Sequence, residues 1–382
     1  MEGVKPQEII RLSKSSIGKD EIRAVTGVLE REYLGMGAEV QKFEEGLTEF
    51  FGRPSVCVVN GTAALHLALQ ACDIGIGDEV LVQSLTYIAS FQAISATGAI
   101  PVACDIDPNT LTLDLRDAEK RITSRTKAVM PVHYGGGVGA LDEIYAFAHK
   151  HGLRVIEDAA HAFGTKYRGR IVGGFGDISC FSFDGIKNIT SGEGGCIVTD
   201  DQEVLRKIRD ARLLGVERDT DRRYIGQRSW EFDVAAQGWR YHMSNIMAAI
   251  GIEQLKRFPG MAAKRQKLAN HYSNLLSKSK QISLLNNNFE HVVPHIFVVK
   301  INNKCDRSKV RAGLEELGIQ TGIHYFPNHF LTLYHREMLG GLVNTENIYP
   351  TIISLPMQLD LSFSDIEKIC KSLNEVIDQN IT

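Results

Sequence analysis

The chain has 382 residues, of which 43% are hydrophobic and 23% are charged, and its formal net charge is −3. This length predicts about two domains with a sizeable buried core. Because 43 Lys and Arg residues are matched by 46 Asp and Glu residues, no basic surplus favours nucleic-acid binding.

Membrane insertion and export are also disfavoured. No stretch reaches the ~18 consecutive apolar residues of a membrane span, and the first residues, MEGVKPQEIIRLSKSS, lack the apolar run of a secretory signal. The seven cysteines are scattered without a CxxC pair, which argues against a disulfide framework or a thiolate zinc site. We therefore expect a globular, cytoplasmic enzyme without nucleic-acid or membrane partners.

Short apolar runs alternate with amphipathic helices from about residue 55 to residue 200. The predicted strands are PSVCVV, DEVLV, PVACDID, KAVMPVH, LRVIED, DISCFSF and GGCIVTD. Among the helices between them, one has apolar residues at i, i+3, i+4 and i+7 from Leu141, with Gly152 at the position of a C-terminal cap. This alternation predicts an α/β fold with a mostly parallel sheet covered on both faces.

The pattern changes after residue 214. Residues 215–240 are polar and irregular and predict a functional loop. Two helices are then predicted at about 244–258 and 261–278, separated by Pro259-Gly260. A strand HIFVVKI, a helix RSKVRAGLEELG, a strand IQTGI, a loop rich in His and aromatic residues, and a terminal helix with a Ser364–Glu367 capping box follow. We predict a large α/β domain over 1–254 and a small α+β domain over 255–382.

In open α/β sheets, functional sites form beyond the carboxyl ends of the strands. Asp158 ends one predicted strand and Lys187 lies in the loop after another, while Gly61, Thr62 and Ala63 open a helix. Each has an ordinary alternative: a helix N-cap for Asp158, a solvated charge for Lys187, and a simply capped helix for residues 61–63. Separately, none of these residues identifies a function.

Together, these residues match the needs of pyridoxal phosphate (PLP). That cofactor requires an amine, a carboxylate for its pyridine nitrogen, a phosphate site and a flat side chain against its ring. Lys187, Asp158, the helix start at 61–63 and Tyr87 supply these in turn. The combination is much more specific than any single member.

Four segments then carry a family resemblance: NGTAALHLAL, SLTYIAS, VIEDAAHAFG and SFDGIKNITSGEGG. They resemble the signature segments of the DegT/DnrJ/EryC1/StrS aminotransferases, which are fold-type-I PLP enzymes that mostly aminate nucleotide-linked keto-sugars. The resemblance extends from IRLSKSSIGKDEI to GIHYFPNHFLTLY, nearly the whole chain.

The resemblance implies roles for the cofactor-binding residues. Lys187 would form the Schiff base and carry a proton to the substrate carbon, Asp158 would pair with the pyridinium nitrogen, and Tyr87 would stack on the ring. Ser182 would join residues 61–63 on the phosphate. His161 stands where the family has Gln or His near the cofactor's 3-hydroxyl, and its alternative is a helix-face histidine packed against the sheet.

The resemblance is less specific about Arg240 and about the loop rich in His and aromatic residues. Arg240 in GWRYHMSNI replaces an Asn with which many members reach the neighbouring subunit's cofactor phosphate; it could bind a phosphate, meet the sugar nucleotide, or be a surface charge. The IHYxP segment approaches the substrate in the family, which makes Tyr325 and His329 substrate-side candidates. His324, Tyr325, His329 and His335 lack the spacing and the acidic partner of a metal site, so we expect no metal.

The resemblance also implies a reaction. Lys187 argues against the dehydratase branch, which has histidine there, and KNITSGEGG resembles members that act at sugar C4. We expect a homodimer with shared active sites that moves an amino group from L-glutamate to C4 of a 4-keto-6-deoxyhexose, dTDP-linked, for a surface polysaccharide such as an O-antigen. The alternatives are another ketone, such as a 3-keto sugar nucleotide or a keto-inositol, and a non-catalytic PLP-binding sensor.

Overall fold

The computed structural model describes residues 9–335 and 341–380. Its α-helices are α1 (Lys19–Glu30), α2 (Ala38–Phe51), α3 (Gly61–Ala71), α4 (Ile88–Ala96), α5 (Leu115–Arg121), α6 (Leu141–His151), α7 (Gln202–Ala211), α8 (Asp219–Tyr224), α9 (Asn245–Leu276), α10 (Arg307–Glu316), α11 (Val343–Ile348) and α12 (Phe363–Gln379). Its strands are β1 (Ser55–Val58), β2 (Glu79–Gln83), β3 (Ile100–Cys104), β4 (Thr126–Met130), β5 (Arg154–Asp158), β6 (Lys166–Tyr167), β7 (Arg170–Ile171), β8 (Ile178–Ser182), β9 (Gly195–Val198), β10 (Ile282–Leu284), β11 (Phe297–Ile301) and β12 (Ile352–Leu355).

The central sheet has seven strands in the order β1-β9-β8-β5-β4-β2-β3. The neighbours from β8 to β3 pair in parallel, whereas β9 runs antiparallel to both β8 and β1. The predicted α/β fold with a mostly parallel sheet is confirmed. Because the parallel strands point the same way, their carboxyl ends share one edge, where ligand sites form in such sheets.

Helices cover both faces of this sheet. Along β1, Val56 and Val58 pack with α3, α4 and α7 on one face, while Cys57 packs with α2 and α9 on the other. This alternation follows from the two-residue period of a strand. With both faces buried, the strands are the continuous apolar runs that the sequence contains.

A second, three-stranded antiparallel sheet follows in the order β10-β11-β12. It packs against α10, α12 and the C-terminal half of α9 around Val299, Leu314 and Leu373. The predicted strand IQTGI is wrong, since residues 319–323 make only isolated bridges, Ile319 to Ile10 and Gly322 to Ser354.

The predicted break at Pro259-Gly260 is also wrong, because α9 continues through Pro259 for 32 residues. Proline removes a helix hydrogen bond, but Phe258 and Met261 are both buried in the core beside it. Their packing, including ring contacts of Phe258 with Phe163 and Phe50, favours the unbroken helix. The predicted domain boundary after residue 254 falls within α9 and stays a prediction.

The caps of α6 and α12 were both predicted from the sequence, one at the correct residue and one two residues too late. Gly152 caps α6 in the left-handed conformation, at φ 65°, as predicted. The capping box of α12 is formed by Ser362 and Asp365, two residues before the predicted Ser364 and Glu367. The Ser362 hydroxyl accepts the Asp365 N–H at 3.1 Å, and so the helix starts earlier.

The region 215–240, expected to be an irregular loop, contains the short helix α8. Among the described residues, none of the helices combines the length and apolar character required to cross a bilayer.

Candidate active site

A cavity of about 440 Å³ opens at the carboxyl edge of the central sheet. Its walls come from the start of α3, the start of α4, the end of β5, the loop after β8, and two segments near residues 295 and 324. Side chains that line it include Thr62, Tyr87, Asp158, His161, Ser182, Asp184, Lys187, Glu193, His295, His324 and Tyr325.

Lys187 lies in the tight loop after β8. The loop is held by two turn bonds, from Lys187 N–H to the Asp184 carbonyl at 3.0 Å and from Ile186 N–H to the Asp184 carboxylate at 3.2 Å. The Lys187 amine lies 3.4 Å from Nε2 of His295. Burial lowers the pKa of Lys187 to about 8 and outweighs the opposing effects of Asp158 and Asp184. Near neutral pH the unprotonated fraction is therefore a minority but far larger than that of an ordinary lysine, which suits a nucleophilic amine.

Asp158 ends β5 and is 6% exposed. Its carboxylate accepts the Ser90 hydroxyl at 2.7 Å and the Ala160 N–H at 3.2 Å. No helix follows Asp158, since residues 160 and 161 form a turn, so the helix-cap alternative is wrong. Within the described residues no cation pairs with this buried carboxylate, which leaves it suited to a protonated ring nitrogen of a ligand.

The start of α3 also lines the cavity. Asn60 caps the helix, and its side-chain oxygen accepts the Ala63 N–H at 2.8 Å. Gly61 and Thr62 line the cavity with N–H groups that have no partner among the described residues, whereas Ala63 is buried behind them. In this structure the Ala63 N–H is therefore engaged by Asn60, and its predicted use for phosphate binding stays a prediction.

Ser182 lies directly against this helix start. A Cβ atom on Gly61 would come within 2.8 Å of the Ser182 Cβ, so the glycine permits the close approach. The Ser182 oxygen accepts the Asp184 N–H at 3.3 Å, and its own hydrogen is available to a ligand. Two free N–H groups, a hydroxyl and a helix dipole together form a site for an anion such as phosphate.

Tyr87 and His161 both line the cavity, and each lies beside Tyr325. Tyr87 is 58% exposed, and its ring lies 5.5 Å from the Tyr325 ring. His161 is buried in a turn, not on a helix face, and its Nε2 lies 2.9 Å from the Tyr325 hydroxyl. Its predicted helix-face alternative is therefore wrong. Burial, with a smaller effect of Lys187, holds the pKa of His161 well below its usual value.

Two predicted residues lie outside the cavity of this chain. His329 is buried and bonds through Nδ1 to the Ser84 hydroxyl at 2.7 Å, which explains it as a packing residue. Arg240 is exposed, and its backbone bridges to Leu213.

Sequence reasoning missed two histidines that do line the cavity, His295 and His324. His295 lies two residues before the start of the buried strand β11, and burial together with Lys187 lowers its pKa well below the usual value. His324 bonds through Nδ1 to the Ser354 hydroxyl at 2.6 Å. The only local signal for His295 in the sequence was its position at the start of the apolar run HIFVVKI.

The chain matches the family model "DegT/DnrJ/EryC1/StrS aminotransferase family" over residues 15–374. It is 37% identical to the spore coat polysaccharide biosynthesis protein SpsC of Bacillus subtilis, over 98% of both chains. The chain therefore belongs to this family and is a PLP-dependent sugar aminotransferase.

Solved structures agree with this assignment. The PMP-form of the putative sugar aminotransferase Spr1654 from Streptococcus pneumoniae superposes with a TM-score of 0.90 at 28% identity, over 97% of this chain and 98% of that one. Helicobacter pylori PseC, an aminotransferase involved in the biosynthesis of pseudoaminic acid, gives 0.89 at 27% identity, over 97% and 100%. These likenesses show the fold-type-I aminotransferase fold.

The cavity fits PLP in each of its requirements. A buried amine, an unpaired buried carboxylate, and a helix start whose glycine packs against a serine occur around one space. Lys187, Asp158, and Gly61, Thr62 and Ser182 would hold the aldehyde carbon, the ring nitrogen and the phosphate in turn.

Proposed function

We propose that this chain transfers the amino group of L-glutamate to C4 of a nucleotide-linked 4-keto-6-deoxyhexose. The product would be a 4-amino-4,6-dideoxy sugar nucleotide, with dTDP as the first nucleotide to test. The observation that carries the proposal is the placement of Lys187, Asp158 and the α3 start around one cavity.

When bound, PLP stores the amino group and acts as an electron sink. Asp158 would keep a proton on the ring nitrogen, because a buried carboxylate without a cation stabilises a positive charge beside it. Lys187 would move a proton at the donor carbon and later at C4 of the sugar. The free N–H groups of Gly61 and Thr62 would bind the phosphate, and Tyr87 would pack against the ring.

The charged side chains that line the cavity favour a substrate whose sugar ring carries no charge. Asp184 and Glu193 both line the cavity, and Lys187 is the one Lys or Arg in its described lining. Burial, and then Asp184, raise the pKa of Glu193. The described lining offers a sugar carboxylate no Lys or Arg other than Lys187, so a 6-deoxyhexose is the acceptor to test before a uronic acid.

We also infer a cytoplasmic homodimer whose subunits complete each other's sites. The substrates carry phosphates and carboxylates, yet the lining described above contains a single Lys or Arg side chain. The region 215–240 has five arginines, at 218, 222, 223, 228 and 240. Its Trp230 is 85% exposed and its Phe232 58% exposed, which suits burial against a partner subunit. Arg240 would contribute from there.

A place in polysaccharide assembly is the corresponding biological role. SpsC is named for spore coat polysaccharide biosynthesis and PseC for pseudoaminic acid biosynthesis. An amino-sugar nucleotide is the form in which a glycosyltransferase would use the product.

The test is a titration of the visible absorbance of the PLP-loaded enzyme. We expect L-glutamate to abolish the band of the bound cofactor and dTDP-4-keto-6-deoxyglucose to restore it, with Lys187→Ala inactive in both steps. UDP- and GDP-linked and 3-keto sugars are the parallel arms. Restoration by one of them alone would replace the proposed acceptor, and no response to L-glutamate would overturn the donor.

A further inference from the structure

The lysine loop, which connects β8 to β9 and carries Lys187, is held on both sides of that residue by distant parts of the chain. Two residues before Lys187, the Gly185 carbonyl accepts the Ser15 hydroxyl at 2.6 Å. Three residues after it, the Thr190 N–H donates to the side-chain oxygen of Gln254 at 3.4 Å. Ser15 precedes α1 and Gln254 belongs to α9, so both bonds reach the loop from outside the central sheet.

Glu21 is the buried group that connects these two bonds. It is 1% exposed, although it lies in the first turn of α1. Its Oε1 accepts the Gln254 amide at 2.7 Å, and its Oε2 accepts the Gly18 N–H at 2.8 Å. The same Gln254 nitrogen donates to the Ser16 carbonyl at 2.7 Å, directly beside Ser15. One carboxylate therefore orders both the chain before α1 and the α9 side chain that reaches the lysine loop.

The carboxylate of Glu21 is ionised in this position. Arg257 of α9 is its ion-pair partner and also donates to the Ser16 hydroxyl at 3.4 Å. Burial opposes ionisation, but hydrogen bonds from the backbone of Glu21 and Gly18 and from the Gln254 and Arg257 side chains lower the pKa of Glu21 below its usual value. Removal of the carboxylate would leave its buried donors without an acceptor, which is costly.

Helix α9 is also packed tightly against the lysine loop. A Cβ atom on Gly251 would lie 2.7 Å from the Ser191 Oγ and 2.5 Å from the Phe43 ring. Gln254 follows three residues later and so lies on the same face of the helix. The contact between α9 and the loop leaves little room for movement, and the segment before α1 is the part of it that Glu21 controls.

We propose that Glu21 is a positioning residue for Lys187 and acts through Ser16 and Gln254 on the two sides of the lysine loop. Neither Glu21 nor Gln254 is among the described residues that line the cavity, so the effect passes through the loop and not through a contact with a ligand. The Lys187 amine must reach the aldehyde carbon of PLP and then the carbons of the donor and the acceptor, and a misplacement of ~1 Å can cost ~100-fold in rate. The inference rests on the proposed function only for the donor and acceptor carbons.

The first test uses the apoenzyme and needs no substrate. Burial lowers the pKa of Lys187 to about 8, so a loop that loses its bonds should expose the amine and let this pKa rise. Competitive acetylation with acetic anhydride across a range of pH, followed by mass spectrometry of the Lys187 peptide, measures the midpoint. We expect Glu21→Ala to raise it by about one unit. Ser15→Ala, at an exposed residue, should raise it by less and keeps the test valid if Glu21→Ala does not fold.

Glu79→Ala is the matched control. Glu79 is another buried carboxylate, 4% exposed, which accepts the Thr123 hydroxyl at 2.5 Å and pairs with Arg125. It begins β2, at the edge of the sheet opposite to the lysine loop. Both glutamate variants should destabilise the fold, but only Glu21→Ala should shift the Lys187 midpoint. A general loss of stability therefore cannot imitate the expected result.

The second test uses the PLP-loaded enzyme with L-glutamate. Glu21→Ala should lower kcat roughly 10-fold and leave KM nearly unchanged, because the loop positions the amine and does not bind the donor. Glu21→Gln, which still offers an oxygen to the Gly18 N–H, should recover part of the loss. Lys187 midpoints that stay at the wild-type value in both Glu21→Ala and Ser15→Ala would overturn the proposal. Shifted midpoints in an enzyme whose wild type does not react with L-glutamate would support the positioning role and refute the proposed donor.

Discussion

Gly61 and Ser182 meet so closely that a single added methyl group would not fit between them. The Cβ of an alanine at 61 would lie 2.8 Å from the Ser182 Cβ and 3.3 Å from its Cα. The first turn of α3 and the end of β8 are thereby held side by side, and Gly61, Thr62 and Ser182 line one cavity.

Gly61→Ala should therefore weaken cofactor binding. We expect a cost of about 1–3 kcal/mol from overpacking and a rise of at least ~10-fold in the PLP dissociation constant, measured by equilibrium titration. Gly260→Ala is the matched control, because its added methyl would meet no atom within 4 Å. Equal PLP affinities in the two variants would contradict the phosphate assignment.

Asp158→Asn should remove the negative charge that stabilises a proton on the ring nitrogen of PLP. The amide has a similar shape but no charge to stabilise a proton on the ring, so turnover should fall at least ~100-fold. Ser90→Ala removes the 2.7 Å bond to Asp158 together with the longer contacts of this hydroxyl to the Thr86 hydroxyl and the Tyr87 carbonyl, and it should cost about 1 kcal/mol, or several-fold in rate. Ser95→Ala, on the same helix but bonded to Tyr334, is the control, and a larger loss there than at Ser90 would argue against this assignment.

The pKa of Lys187, lowered to about 8 by burial, has a consequence for stability without cofactor. Between pH 8 and the ordinary lysine value of 10.5, the unfolded state binds the proton more readily, so stability rises with pH there. Lys187→Met should thus stabilise the apoenzyme at pH 7, by at most about 3 kcal/mol, and the gain should vanish near pH 10.5.

Urea unfolding at both pH values measures this difference. Lys127→Met, at an exposed lysine of β4, is the control and should show no comparable pH dependence. A gain at pH 7 that persists unchanged at high pH would show that the methionine acts through packing rather than through charge.

Arg212 is fully buried and forms an ion pair with Glu44. It also donates to the Cys57 carbonyl at 2.7 Å and to the Tyr224 hydroxyl at 3.0 Å, joining β1, α2 and α8. Arg212→Met should destabilise the fold by about 3–5 kcal/mol, because it leaves a buried carboxylate unpaired.

The double variant Arg212→Met with Glu44→Gln should recover part of that loss, since glutamine still accepts the Cys57 N–H but carries no charge. Arg206→Ala breaks an exposed pair with Glu203 and should change stability by less than about 1 kcal/mol. The free energies of unfolding, from denaturant titrations, distinguish these cases.

Much of the fold was predictable because a short, local sequence pattern marks each strand of the central sheet. Runs such as VCVV and VLV are apolar and short, and helices cover both faces of the sheet that contains them. The unbroken α9 was not predictable, since the packing of Phe258 and Met261 against distant residues outweighs the proline.

The site residues also divide into those that the sequence predicted and those that it did not. Lys187 and Asp158 follow predicted strands, so the parallel topology alone brings them together. His295 arrives from a segment 108 residues beyond Lys187, a distance over which local pattern carries no information. The cap at Ala63 could also be predicted, because Asn is a strong N-cap residue and the Asn60 side chain accepts that N–H.

The two ends of the region 215–240 are tied to each other by backbone bonds, from Leu214 N–H to the Trp239 carbonyl at 3.0 Å and from Tyr241 N–H to the Arg212 carbonyl at 3.0 Å. Val59 N–H then bonds the Tyr241 carbonyl at 2.7 Å, just before the phosphate site. These backbone bonds thus hold together the two segments by which the region 215–240 leaves and rejoins the rest of the protein. Insertions, deletions or transplanted sequences between these ties should therefore leave the geometry of the sheet and of the cofactor site unchanged.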